Sequence, residues 1–447
     1  MQKQFDAVIV GAGPAGSTAA ILLARAGWSV ALVEKQRFPR RKVCGECIAA
    51  SNLPLLDALG LGPAFEAVAG PQLRQVALMH GNHQVLADLP AAPHARHRFG
   101  RALGRETLDS LLRDQAQAVG VEVLQPWSVQ AMDGSVGAWR CLVQCADSGA
   151  AALVRARVAI CAQGSWEPLP ADRAGPRPAR RAADLLAFKA NFRGVALDSG
   201  VLPVLLFDGG SGGMVVADDG LATLACCIRR DRLEAARRAS PGLRAGEVVE
   251  ALLGRECAGV RLALHSARRD GPWLAAGPIA PAVHLGAING PLRIGNAAGE
   301  AHPILGEGIS MALQSAWLLC AQLLAGEPQG AVPGKAWQHE AARRYAVDWR
   351  RQFGPRLRVA AAFAHMAMRP GSAALLLALA RRWPGLLTAG ARWGGKVSCA
   401  ADLYAIAPPA PAAVQRPLTV ALIDSSDGED SIMMRPAANQ GAENAPS

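Results

Sequence analysis

The opening of the chain constrains its fold more than any other segment. Asp6-Ala-Val-Ile-Val10 reads as a buried parallel strand and runs straight into Gly11-Ala12-Gly13-Pro14-Ala15-Gly16. Ser17–Ala26 then reads as a helix of small and aliphatic residues, Gly27 ends it, and Trp28–Val33 forms a second apolar strand that closes on Glu34. This order is the plan of a dinucleotide-binding unit. Gly11 allows the tight turn, Gly13 lets a pyrophosphate approach the backbone beside Ala15, and Gly16 lets helix and strand pack closely. The helix N-terminus faces the phosphates. Glu34, 21 residues past Gly13, can hold a ribose hydroxyl pair, with Lys35 as its neighbour. An acid here, with no Arg in its place, disfavours a 2′-phosphate. Taken alone, the unit leaves FAD and NAD both open.

The 447 residues are 51% hydrophobic and 19% charged, which excludes a disordered chain, a collagen-like repeat and a small disulfide scaffold. Two or three lobes are expected at this length. The net charge is +11, and 41 of the 47 basic residues are Arg. Such a bias, beside so much Ala, Gly and Pro, fits genomic base composition as well as a ligand. No groove-reading motif accompanies it, so no nucleic-acid partner is expected. The ten cysteines are scattered, and the N-terminus enters a strand with no signal-peptide plan. The expectation is a reducing cytoplasm without structural disulfides. No apolar run approaches the ~20 residues of a spanning helix; the best is Ala373–Ala380.

A second signal lies far downstream. Leu292-Arg-Ile-Gly295-Asn296-Ala-Ala-Gly299-Glu300-Ala-His302-Pro303 leads through Gly306-Glu307-Gly308-Ile309 into a helix expected to run from Gly308 to Leu324. Amides at such a helix start favour negative charge on a bound group. A third segment, Arg105-Glu-Thr-Leu108-Asp109, opens a further helix. Together these resemble the fingerprints of the flavoprotein hydroxylase and geranylgeranyl reductase superfamily of FAD-dependent oxidoreductases, over about residues 5–400. The resemblance implies FAD held by Gly11, Gly13, Ala15, Gly16, Glu34, Lys35, Arg105, Gly295, Asn296, Gly306, Gly308 and Ile309. Asn296 stands where the family's G-D-A-A-G motif has Asp, so a hydrogen-bonding group is kept and a charge lost. Gln163, in Ala162-Gln163-Gly164, replaces the Asp of a D-G motif linked to FAD and NAD(P)H. That departure leaves the electron donor open between NAD(P)H and a separate reductase.

Phe38-Pro-Arg-Arg-Lys-Val-Cys44-Gly45-Glu46-Cys47 resembles the reductase segment whose Cys-Gly turn lies over the flavin ring. Cys44 is a candidate substrate-side thiol, with packing as the plain alternative. A Cys44/Cys47 dithiol lacks a thioredoxin-like setting, and a lone C-x-x-C is poor evidence for zinc, so no metal is expected. Glu46 is a candidate proton donor. Arg40, Arg41 and Lys42 either attract an anionic group or form a solvated turn. His302, before Pro303, is a candidate proton donor or phenol-orienting group, and Glu300 is a similar candidate.

Strand-like segments at Ala187–Phe192, Val201–Phe207, Gly213–Ala217 and Leu221–Ile228 suggest an antiparallel sheet roofing a substrate cavity. It lacks the halogenase W-x-W-x-I-P and the prenyl-reductase Y-x-W-x-F-P, which argues against a halogenase and weakens a strict prenyl reductase. Basic amphipathic helices are expected at Ala336–Ala367 and Gly371–Arg392, as a pocket cap or a peripheral contact with anionic lipid.

The expectation is therefore an α/β protein. A Rossmann-like FAD domain (1–180 and 289–330) carries an inserted antiparallel substrate sheet (181–288). A helical region (331–406) and an unstructured tail (407–447) follow. The activity expected first is a monooxygenase of secondary metabolism, hydroxylating an apolar or aromatic small molecule through a flavin C4a-hydroperoxide. The alternatives are a reductase or dehydrogenase of C=C bonds in a polyprenyl or polyene chain, and a flavin-binding scaffold without turnover.

Overall fold

The computed structural model describes residues 4–165, 179–325 and 334–397. The tail expected at 407–447 lies outside them. The first sheet is built on the strand Gln4–Val10, with Val30–Val33 parallel on one side and Ala151–Cys161 parallel on the other. Glu122–Leu124 extends it beyond Val30–Val33, and Leu292–Arg293 pairs with the end of Ala151–Cys161, both parallel. Trp127–Ser135 and Ala138–Cys145 close the far edge as an antiparallel meander. Ala7, Val8 and Ile9 are fully buried, as a strand covered on both faces requires. On one face the helices Pro14–Arg25, Arg105–Ala118 and Gly308–Leu324 bury Leu23, Leu112 and Leu313 in a common core. On the other, Val8, Ala31 and Val33 meet Trp139, Val143 and Val154. The helix expected from Gly308 to Leu324 has those bounds.

The second sheet runs in the order Arg268–Arg269, Leu185–Arg193, Ala222–Arg229, Gly210–Val216, Val201–Phe207, Gln75–His80, His83–Asp88. Its last two strands come from outside 181–288, and Gln75–His80 pairs parallel with Val201–Phe207. The antiparallel sheet expected at 181–288 is present, and the two strands from outside that range extend it, one of them in parallel. Local alternation marks a strand without naming its partner, and this partner lies more than a hundred residues away. Helices at Arg230–Ala239, Ala245–Glu256 and Ala258–Leu264 seal one face over Phe188, Phe192 and Leu224.

The long helix Lys335–Ala367 buries Tyr345, Trp349 and Phe353 against the first core. Two shorter helices follow, Pro370–Arg382 and Gly385–Trp393, where one had been expected from 371 to 392. Pro384 separates them: the residue before a proline is driven out of the helical region, and Trp383 sits at φ −138°, ψ 78°. Ala364, Ala373 and Leu377 pack on Leu78 and Leu206, so these helices form the outer wall of the second sheet. Among the described residues no single helix is long and apolar enough to cross a membrane.

Candidate active site

The first helix begins at Gly13, with no side chain capping it. The three motif glycines have separable causes. A Cβ on Gly16 would lie 1.8 Å from the Gly11 carbonyl oxygen, and one on Gly11, at φ +102°, 2.6 Å from that of Ala162. Both follow from packing. A Cβ on Gly13 would meet only Arg105 Nη2, at 3.6 Å, so this glycine leaves open the approach to the helix start. Arg105 is fixed over that approach by a bidentate pair with Asp109, at 2.8 and 2.7 Å. Glu34 ends its strand as expected and accepts from the amides of Ala12 (3.0 Å) and Gln36 (2.8 Å). Arg40 stands between Glu34 (3.6 Å) and Asp109 (3.2 Å), a cation beside the acid that the sequence reading had not placed there. Lys35 is exposed at the strand's end.

The second loop meets the first helix directly: Gly295 sits at φ +58°, and a Cβ there would lie 2.9 Å from the Ala15 methyl. Asn296 Nδ2 donates to Ser165 Oγ at 3.0 Å, and Ser165 donates to Glu300 Oε1 at 2.8 Å. Burial raises the Glu300 carboxyl above its ordinary range, against the Ser165 hydrogen bond. Gly306 turns at φ +62°, and the helix from Gly308 starts without a side-chain cap. Gly308 and Ile309 line a cavity of about 470 Å³, which also reaches Gly13, Ala15, Gly45 and Asn296. The same cavity has an apolar chamber lined by Leu78, Val204, Met214, Phe363 and Leu376.

Of the proposed chemical residues, Cys44 is half-buried on the cavity wall, and its Sγ accepts from the Glu46 amide at 3.4 Å. Glu46 lines the cavity too, but its carboxylate is saturated. It takes the Arg105 amide at 2.8 Å, the Lys189 ammonium and the Thr223 hydroxyl, and it is 2% exposed. This corrects the reading of Glu46 as a proton donor: it anchors the Cys44-Gly45 turn, at φ +58°, to the second sheet. Lys189 and Thr223 were missed. The available signal was a lone lysine inside the apolar run Leu185–Phe192.

His302 lines the cavity and caps the turn Pro303–Leu305, its Nδ1 accepting from the Ile304 amide at 3.3 Å. The proton therefore sits on Nε2, which has no hydrogen-bond partner among the described residues. Burial pushes the imidazole down to about 4. His302 is thus neutral at pH 7, able to orient a polar group through Nε2–H but not to act there as an imidazolium acid. Arg41 is consumed by Glu106 (2.7 Å) and Asp270 (3.6 Å), whereas Lys42 lines the cavity. Gln163 keeps a buried side-chain oxygen without a partner among the described residues. No group of His, Cys, Asp or Glu among the described residues is arranged to hold a metal.

Two uncapped helix starts, an open approach at Gly13 and a cavity linking them fit a dinucleotide cofactor bound by its pyrophosphate at one end and its ring system at the other. The site is thus that of a dinucleotide-binding protein. The family model for FAD binding domains matches residues 4–347, and the chain belongs to that family. It is 40% identical over 118 residues to tryptophan 2-halogenase of Chondromyces crocatus, which is 26% of this chain and 22% of that protein. It is 34% identical over 119 residues to menaquinone reductase of Mycobacterium tuberculosis, 27% and 28% of the two chains. The chain thus spans about a quarter of the length of these curated relatives. The structure of the flavin-dependent brominase Bmp2 superposes with a TM-score of 0.68 at 19% identity, covering 89% of this chain and 96% of that one.

Proposed function

We propose that the protein is an FAD-dependent monooxygenase hydroxylating an apolar or aromatic small molecule. The observation that carries this reading is the continuity of one cavity, in which the cofactor end at Gly13, Gly45 and Gly308 gives directly onto the chamber of Leu78, Val204, Met214, Phe363 and Leu376. Bound FAD supplies the electrons and the centre at which oxygen is reduced. The chain's residues do the rest. The apolar walls exclude water and select an apolar substrate, and His302 Nε2–H offers a neutral donor to a substrate hydroxyl or carbonyl. Electrons come from NAD(P)H or from a separate reductase.

A second reading, reduction of C=C bonds in a polyprenyl or polyene chain, is favoured by one observation. Glu300 is a buried carboxyl with a raised proton affinity on the cavity wall. Such a group suits the protonation step of a reduction. The experiment is product analysis of the reduced holoprotein with apolar aromatics and polyenes under oxygen-18, in the presence of chloride and bromide. Oxygen-18 in the product supports the hydroxylase, and a saturated product formed without oxygen supports the reductase. A halogenated product overturns both.

A further inference from the structure

The last described turn of the chain, Gly394–Lys396, is seated against the flavin-binding loops, not at the periphery. Ser51 Oγ donates to the Gly395 carbonyl at 3.1 Å, and the Ser51 amide donates to that of Lys396 at 3.3 Å. Gly395, at φ +88°, packs so closely on Arg356 that a Cβ would lie 2.7 Å from its guanidinium carbon. This places Lys396 Nζ on the cavity wall, 3.2 Å from Glu307 Oε1 and 3.5 Å from the Gly306 carbonyl oxygen. Arg356 Nη1 approaches the other Glu307 oxygen at 3.6 Å. Glu307 is 1% exposed, so this is a buried cluster of two cations and one carboxylate. Arg356 also donates to Gln314 at 3.1 Å, and Gln314 to Asn52 at 2.8 Å. Burial works to lower the Lys396 proton affinity, and the Glu307 charge more than offsets it.

We propose that this C-terminal turn is part of the flavin site, and that Lys396 is a positioning residue setting the charge at the Gly306–Gly308 loop. The inference rests on the FAD reading of the site. The Lys396 ammonium stands beside an uncapped helix N-terminus, and both favour negative charge on what lies in front of them. Gly306 and Gly308 there are among the residues by which the family resemblance implies that FAD is held. A reduced flavin is an anion, so Lys396 stabilises the reduced state. Glu307 opposes it and at the same time holds Lys396 in place.

The test uses purified holoprotein and two readouts that need no substrate: the flavin midpoint potential, and the dissociation constant of the sulfite adduct, which also places negative charge on the ring. Lys396→Met is expected to weaken sulfite binding about tenfold and to lower the two-electron potential by about 30 mV, the equivalent of that factor. Lys396→Arg keeps both near wild type, and Glu307→Gln shifts both in the opposite direction. A purely structural cluster does not produce shifts of opposite sign. Loss of FAD from Lys396→Met with an unchanged melting temperature of the apoprotein also supports the proposal. Retained flavin with unchanged potential and sulfite affinity in both Lys396→Met and Glu307→Gln overturns it alone. A wild-type protein that binds no FAD overturns this inference and the reading beneath it.

Discussion

Lys189 and Glu46 form an ion pair closed to solvent, joining the centre of the second sheet to the turn that carries Cys44. A charge buried in this way is stabilising only while its partner remains. Lys189→Met should therefore cost about 3–5 kcal/mol of stability in urea denaturation. Lys189→Met combined with Glu46→Gln should recover part of that loss. Equal stability of Lys189→Met and wild type would show that the pair does not form.

The three glycines of the first turn should separate under substitution. Gly16→Ala forces a Cβ into the Gly11 carbonyl and should destabilise the fold itself. Gly13→Ala has room, so it should melt near wild type while losing FAD affinity by about tenfold or more, roughly 1.4 kcal/mol or above. Flavin fluorescence on titration and thermal melting of the apoprotein measure the two effects apart.

His302 gives a pH dependence of known sign. Its folded-state value of about 4 lies below the ordinary 6.5, so the unfolded chain binds the proton more tightly. Stability is full above about pH 6.5 and falls as pH drops towards 4, by about 3 kcal/mol in total. Glu300, with a raised proton affinity, acts in the opposite direction over an overlapping range. The difference between wild type and His302→Gln isolates the histidine, and the pH dependence of that difference should vanish above pH 7.

The outer helices carry Leu375, Trp383, Leu386 and Trp393 at 59%, 53%, 51% and 71% exposure. From residue 349 to 397 the sequence holds eight Arg, one Lys and no Asp or Glu. Exposed apolar side chains within so basic a segment fit an anionic bilayer, and Leu386 also lines the cavity. The protein should co-sediment with phosphatidylglycerol vesicles and not with neutral ones. Trp383→Ser with Trp393→Ser should lower binding at least fivefold. Equal binding to both vesicle types, or to neither, contradicts a charge-directed lipid contact.

The nucleotide unit was legible because its determinants are local: a strand, three glycines and a helix start occupy eleven consecutive residues from Asp6 to Gly16. The Gly308–Leu324 helix was legible for the same reason. What escaped depends on long-range placement. Lys189 reads locally as an interruption in a strand, and only its burial against Glu46 gives it a role. Glu46 looked like a free acid because its three donors come from segments 59, 143 and 177 residues away. Lys396 lies beyond every recognisable motif, brought to Glu307 by the helices Pro370–Arg382 and Gly385–Trp393, whose placement local propensity does not specify. The pairing of Gln75–His80 with Val201–Phe207 is likewise a property of the assembled sheet.

The most direct test of the account is rapid mixing of the anaerobically reduced holoprotein with oxygenated buffer, followed by absorbance from the near-ultraviolet to the visible. The proposed monooxygenase should show a transient spectrum distinct from both reduced and oxidised flavin, with a decay that changes when an apolar aromatic compound occupies the chamber. Direct return to oxidised flavin, unaffected by any such compound, would contradict it.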